Sequence, residues 1–135
     1  MNLNAQTIAQ LAEHLEGAEL NARDVTKITD DFPQMDWDDA YAVQDAIRAR
    51  KEARGQKTVG LKAGLTSFAK MKQMGVDVPV FGFVSDTMSR PDGGEIRTAE
   101  LIHPKVEAEI CVVTKAELKG PGCHVGAVLA AIDFV

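Results

Sequence analysis

Two glutamates, Glu107 and Glu109, stand one residue apart in the stretch His103-Pro-Lys-Val-Glu-Ala-Glu-Ile-Cys-Val-Val113. From Val106 to Val113 the alternation predicts a half-buried strand. Val106, Ala108, Ile110 and Val112 take one face, and Glu107, Glu109, Cys111 and Val113 the other. On such a strand the two carboxylates lie about 6.5–7 Å apart on a shared face. Buried and unpaired they would repel; converging on one cation removes the repulsion. An all-oxygen donor set suits a hard ion such as Mg2+ or Mn2+. Two solvated surface glutamates satisfy the same spacing, so the pair alone leaves both readings open. Lys62 is the second residue of interest. It falls in Thr58-Val-Gly-Leu-Lys-Ala-Gly-Leu65, which reads as a buried strand. Lysines are seldom buried unpaired, and snorkelling to the surface is the competing reading. Gly60 and Gly64 do not form a phosphate loop, whose lysine directly follows its last glycine. Asp86 ends the next apolar run, where a turn or capping role competes with a chemical one. His103, before a proline at the entrance to the glutamate strand, is open to a local hydrogen-bonding role or a site role.

The elements that must position these groups follow from periodicity. Residues 4–16 read as a helix with Ile8, Leu11, Ala12 and Leu15 on one face and Gly17 as its end. Glu19 to Phe32 is mixed, and Asp30-Asp31-Phe32-Pro33 breaks the chain. Asp36 reads as an N-cap, with Asp38 and Asp39 in the first turn of a helix that runs to about Arg54. Trp37, Ala40, Tyr41, Gln44 and Ile47 lie along one face of it. Arg48, Arg50, Lys51 and Arg54 crowd its C-terminal end, where the dipole favours cations; they read as a solvated helix end rather than a ligand site. Gly55 stops the helix. Thr66 or Ser67 caps a short helix to Met74, with Phe68, Met71 and Met74 as core filler. Val76 to Val84 reads as a strand or edge segment, and Pro91-Asp-Gly-Gly94 as a turn, with Ile96 opening another strand. After the turn Gly120-Pro-Gly122, the residues Val125, Val128, Leu129 and Ile132 recur as a helix face.

At 135 residues the chain is expected to form one domain, and 45% apolar content can supply its core. A net charge of −5 argues against nucleic-acid binding by bulk electrostatics. No apolar run reaches the roughly 18 residues of a membrane span, and no secretory signal is visible. The expected setting is the cytoplasm. Cys111 and Cys123 lack metal-ligand spacing, and Cys111 reads as a small core residue.

Taken together, six segments resemble the fumarylacetoacetase-type hydratase/decarboxylase family. They are Asp31-Phe-Pro33, Asp39-Ala-Tyr41, Val59-Gly-Leu-Lys-Ala-Gly-Leu-Thr-Ser67, Phe81-Gly82, His103-Pro-Lys-Val-Glu-Ala-Glu109 and Ala130-Ala-Ile-Asp133. The resemblance covers nearly the whole chain, in order. Within the family it is nearer to the decarboxylases, through Ala18-Glu-Leu-Asn21, Asp30-Asp31-Phe-Pro33 and the apolar Val80. It implies an α+β fold, with an N-terminal helical region (1–57) and the first half of a β-rich catalytic sandwich or roll (58–135). Family members are about twice this long, so the resemblance implies a truncated chain, with a third metal-binding glutamate beyond Val135. The implied reaction is metal-dependent decarboxylation of 2-oxohex-3-enedioate to 2-oxopent-4-enoate and CO2 in aromatic meta-cleavage catabolism. Glu107 and Glu109 would hold Mg2+ or Mn2+, and Lys62 and Asp86 would be catalytic. The implied partners are a small 2-oxo dicarboxylic acid, further copies of the chain and the pathway hydratase; neither nucleic acid nor membrane is expected. Two alternatives stand beside this reading. One is hydration of 2-oxopent-4-enoate, and the other a catalytically incomplete fragment or binding module.

Overall fold

A computed structural model describes all residues, Met1–Val135. The chain is α+β, as the sequence predicts, and divides into two compact units, Met1–His103 and Pro104–Val135.

The first unit is built on two helices. Helix α1 (Ala5–Leu20) starts at Asn4, whose side chain accepts the Thr7 N–H. It does not stop at Gly17 but runs a further turn, because nothing there demands the left-handed backbone that ends a helix. After the single turn α2 (Ile28–Asp31), helix α3 (Trp37–Ala53) opens on the expected cap. The Asp36 carboxylate accepts the Asp39 N–H, and the Asp39 carboxylate accepts the Asp36 N–H. This closes a reciprocal box that satisfies two otherwise orphaned donors. Leu3, Ile8, Leu11, Ala12 and Val43 form the buried core, with Ile28, Phe32, Met35, Ala42, Ala46 and Ile47 packed around it. The inward face of α3 is therefore Ala42, Val43, Ala46 and Ile47, rotated from the expected stripe; only Ile47 is shared. Trp37 is 48% exposed and stacks on Tyr41 across 6.3 Å.

Two carboxylates join the buried set. Asp39, fully buried, accepts the N–H groups of Asn2 and Leu3 as well as that of Asp36. Desolvation pushes its pKa up, but these backbone donors together win and hold it below the usual carboxylate value. Glu16, also fully buried, receives Arg50 Nε at 2.6 Å and Arg54 Nη2 at 2.5 Å. Lys51 reaches Glu19 at 2.7 Å. The basic end of α3 is thus not merely solvated: it is the polar seam between α3 and α1.

Strand β1 (Thr58–Gly64) pairs antiparallel with β2 (Val80–Ser85), and α4 (Phe68–Met74) lies in the connection. Ser67 caps α4, and Gly75 ends it in the left-handed region at φ 71°. Contrary to the buried-strand expectation, Val59, Leu61 and Lys62 are exposed, because within this unit a two-stranded ribbon has no second layer to cover it. For the same reason Met71 alone of the α4 methionines and Phe68 is buried. Pro91–Gly94 makes the expected turn, with the Gly94 N–H on the Pro91 carbonyl at 2.9 Å. Ile96 opens no strand: a short 3-10 turn, Thr98–Glu100, follows instead.

In the second unit β3 (Val113–Thr114) pairs antiparallel with β4 (Ile132–Phe134), and α5 (Val125–Ala131) lies between them in sequence, capped by the His124 side chain. The strand expected over Val106–Val113 is not formed. Residues 104–112 have no ladder partner, and only Val113 and Thr114 find one in β4. Cys111 is accordingly exposed rather than a core residue. The helices α1 to α3 end at Ala53 and the first strand begins at Thr58.

Candidate functional site

Lys62 occupies the middle of β1 and is paired in register with Gly82 of β2. Its side chain is exposed, and none of the ion pairs in the chain involves it. The hairpin that carries it is fastened to α3 through the residue before Gly82. The Phe81 N–H donates to Tyr41 Oη at 3.2 Å, and Gln44 Nε2 donates to the Phe81 carbonyl at 3.1 Å. Tyr41 and Gln44, which share one face of α3, fix the backbone of β2.

Asp86 lies just past the Thr58↔Ser85 end of the same hairpin. Its backbone N–H donates to the Lys57 carbonyl at 2.9 Å, and its carboxylate accepts the N–H of Lys57 at 3.1 Å and of Thr87 at 2.9 Å. These bonds clamp the two chain segments where the ladder ends. The carboxylate is thereby turned toward the backbone, and its geometry is that of a hairpin clamp.

Glu107 and Glu109 lie in the second unit, in the extended segment 104–112, and both are exposed. Neither takes part in an ion pair or a side-chain hydrogen bond, and no third histidine, cysteine, aspartate or glutamate gathers with them. The donor chemistry suits a hard ion, since carboxylate oxygens are what such ions take. In number, this chain brings two donors from one short segment. His103, at φ 46°, places Nε2 2.9 Å from Asp24 Oδ2. That hydrogen bond, with the Val25 N–H, holds the Asp24 carboxyl below its usual range. The histidine thus closes the first unit on itself.

The buried pair Glu16 and Asp39 went unrecognised in the sequence as interior groups. A signal for Glu16 was present, since it stands four residues after Ala12 and eight after Ile8, on the apolar stripe of α1. Asp39 gave no such signal, because the N–H groups that cover it, those of Asn2 and Leu3, lie 37 and 36 residues away. No helix of the chain is long and apolar enough to cross a membrane.

No family model matches the chain. It is 59% identical over 133 residues to 4-oxalocrotonate decarboxylase of Pseudomonas putida, covering 98% of this chain and 50% of that protein. It is 36% identical over 132 residues to 2-hydroxyhexa-2,4-dienoate hydratase of Comamonas testosteroni, covering 96% of this chain and 50% of that one. Among solved structures it matches 4-oxalocrotonate decarboxylase from Pseudomonas putida G7 complexed with magnesium and adipate. There the TM-score is 0.92 at 61% identity, over 98% of this chain and 50% of the other. The form of that enzyme complexed with calcium and acetate matches with the same score. The chain spans about half the length of the curated relatives it matches.

Proposed function

We propose, from the premise that this chain is a homologue of 4-oxalocrotonate decarboxylase over about half that enzyme's length, that it serves the same reaction. The reaction is loss of CO2 from 2-oxohex-3-enedioate to give 2-oxopent-4-enoate. The observation that carries the reading is the wide gap in identity between the decarboxylase and the hydratase of the same lineage. The solved relative's adipate supports it, since adipate is the saturated dicarboxylate of the same carbon count as this substrate. The fold assignment that accompanies it is a fumarylacetoacetase-type β-rich sandwich or roll, of which this chain supplies one part.

In this reading Glu107 and Glu109 hold a divalent ion, Mg2+ or Mn2+, through their carboxylate oxygens, as suits the hard ions of the relative's two complexes. When bound, such an ion supplies Lewis-acid stabilisation of the negative charge that gathers on the 2-oxo oxygen as CO2 departs. Lys62 supplies the other charge. Its exposed ammonium, on the face of the β1–β2 hairpin, binds an anionic carboxylate and orients it. In this reading the same group returns a proton to the carbon chain once CO2 has left. Asp86 acts through the backbone: by clamping Lys57 to Thr87 it holds the register of the strand that carries Lys62. Association with further copies, or with the pathway hydratase, belongs to the same proposal.

The test supplies 2-oxohex-3-enedioate and, separately, 2-oxopent-4-enoate to the intact enzyme with Mg2+ or Mn2+. Evolution of CO2 from the first, without hydration of the second, is the expected outcome. Hydration of the second without CO2 from the first would transfer the assignment to the hydratase.

A further inference from the structure

We propose that Gly82 is a positioning residue for Lys62: its missing side chain is the seat on which the lysine stem lies. The inference rests on the reading of Lys62 as the cation of the site. In an antiparallel pair, residues directly opposite each other project to the same face of the ribbon. Lys62 and Gly82 are such a pair. A Cβ built on Gly82 would stand 3.2 Å from Lys62 Cγ and 3.6 Å from its Cδ. The first distance is tighter than the roughly 3.5–4.0 Å at which carbon atoms rest against each other. The lysine stem therefore already occupies the space that any side chain at 82 would take. Gly60, in the same ribbon, offers the contrast: a Cβ there meets nothing within 4 Å.

The seat is itself held in place. Phe81, the neighbour of Gly82, has its N–H on Tyr41 Oη and its carbonyl on Gln44 Nε2, so two side chains of α3 fix the backbone beneath the lysine. The atom that a new Cβ would strike is a methylene of a flexible side chain. It is not backbone, so the lysine stem gives way, by a few tenths of an ångström at least, while the ribbon stays. An otherwise exposed lysine has many rotamers and loses entropy when confined to one. Lying along a glycine restricts that freedom without a charged partner, leaving the ammonium unpaired and available for an anionic ligand.

The test is a double-mutant cycle on decarboxylation by the intact enzyme, comparing wild type, Gly82→Ala, Lys62→Met, the double variant and the control Gly60→Ala. Melting temperatures are recorded throughout. Gly82→Ala is expected to lower kcat on the order of tenfold to a hundredfold, as a misplaced reacting group does. In the Lys62→Met background the same change should cost less than about twofold, because the residue it acts through is gone. Gly60→Ala should leave kcat within about twofold, since a Cβ at 60 meets nothing within 4 Å and a substitution that meets no neighbour has a small effect. Unchanged turnover in Lys62→Met would overturn the reading of Lys62, and the seat with it. A large loss in Lys62→Met beside a Gly82→Ala that matches Gly60→Ala would overturn the seat alone. Independently of turnover and of folding of the variants, nuclear Overhauser contacts from Gly82 Hα to the Lys62 γ and δ methylenes are expected in the wild-type chain; their absence would also overturn it.

Discussion

Replacing Glu16 with glutamine tests how the two long helices are joined. The Glu16 side chain is 0% exposed and carries two guanidinium contacts, at 2.6 Å to Arg50 and 2.5 Å to Arg54. A neutral intramolecular hydrogen bond contributes about 1 kcal/mol, and breaking one partner of a fully buried ion pair costs about 3–5 kcal/mol. The two arginines are 42% and 39% exposed, so water screens them and takes up part of the loss when the carboxylate is removed. The expected destabilisation lies between these limits, at about 2–3 kcal/mol. Urea unfolding followed by far-ultraviolet circular dichroism should report it as a lowered midpoint with an unchanged slope. The effect also has a pH signature. The hydrogen bond from Arg54, reinforced by that from Arg50 against desolvation, holds the Glu16 pKa below its ordinary 4.5. A group whose pKa is lowered on folding contributes stability that is present above the unfolded value and is lost as pH falls through the folded one. The gap between wild type and Glu16→Gln should therefore be constant from neutral pH down to about pH 5 and shrink below it. Arg54→Ala should weaken the fold as well, and the double variant should lose less than the sum, because the two share one interaction. A Glu16→Gln midpoint equal to that of wild type, or a gap that widens in acid, would refute the assignment of Glu16 as the interior anchor of the seam.

Three further outcomes follow from the same geometry. Asp39→Ala removes the acceptor of three backbone N–H groups and half of the capping box; a loss of about 2–3 kcal/mol is expected, with faster amide exchange at Asn2 and Leu3. Leu11→Ala in the α1–α3 core should cost about 2–4 kcal/mol in urea unfolding, with the large end reached if the cavity does not close. Glu107→Gln should leave unfolding midpoints unchanged, since the side chain is exposed and unpaired, while weakening Mg2+ or Mn2+ binding by calorimetry and slowing CO2 release; full turnover in this variant would remove the metal role.

Local signals proved reliable where the physics is local. The caps at Asp36 and Ser67, the left-handed stop at Gly75 and the turn at Pro91–Gly94 depend on residues within a few positions of each other, and each was legible in the chain, the α4 cap as Thr66 or Ser67. The apolar stripe of α1 was likewise legible, because a single helix face is a one-dimensional pattern. Periodicity places Trp37, Tyr41 and Gln44 on one face of α3 but does not rank that face against the one carrying Val43, on which α1 packs. Strand expectations failed most clearly over Val106–Val113, where alternation is sound but no partner strand is available to 104–112.

What the sequence alone determined is the kinship and the residue types on offer: two carboxylates one residue apart at Glu107 and Glu109, a single lysine in a glycine-punctuated run, and motifs whose order resembles one family. Those are matters of residue type and spacing, which need no third dimension. Tertiary structure decided where the charges went. It buried Glu16 between two arginines from a helix 34 and 38 residues away, buried Asp39 under the first residues of the chain, and laid the stem of Lys62 on Gly82. Each of these depends on desolvation and on contacts between segments distant in sequence, and such contacts exist only once the chain has packed.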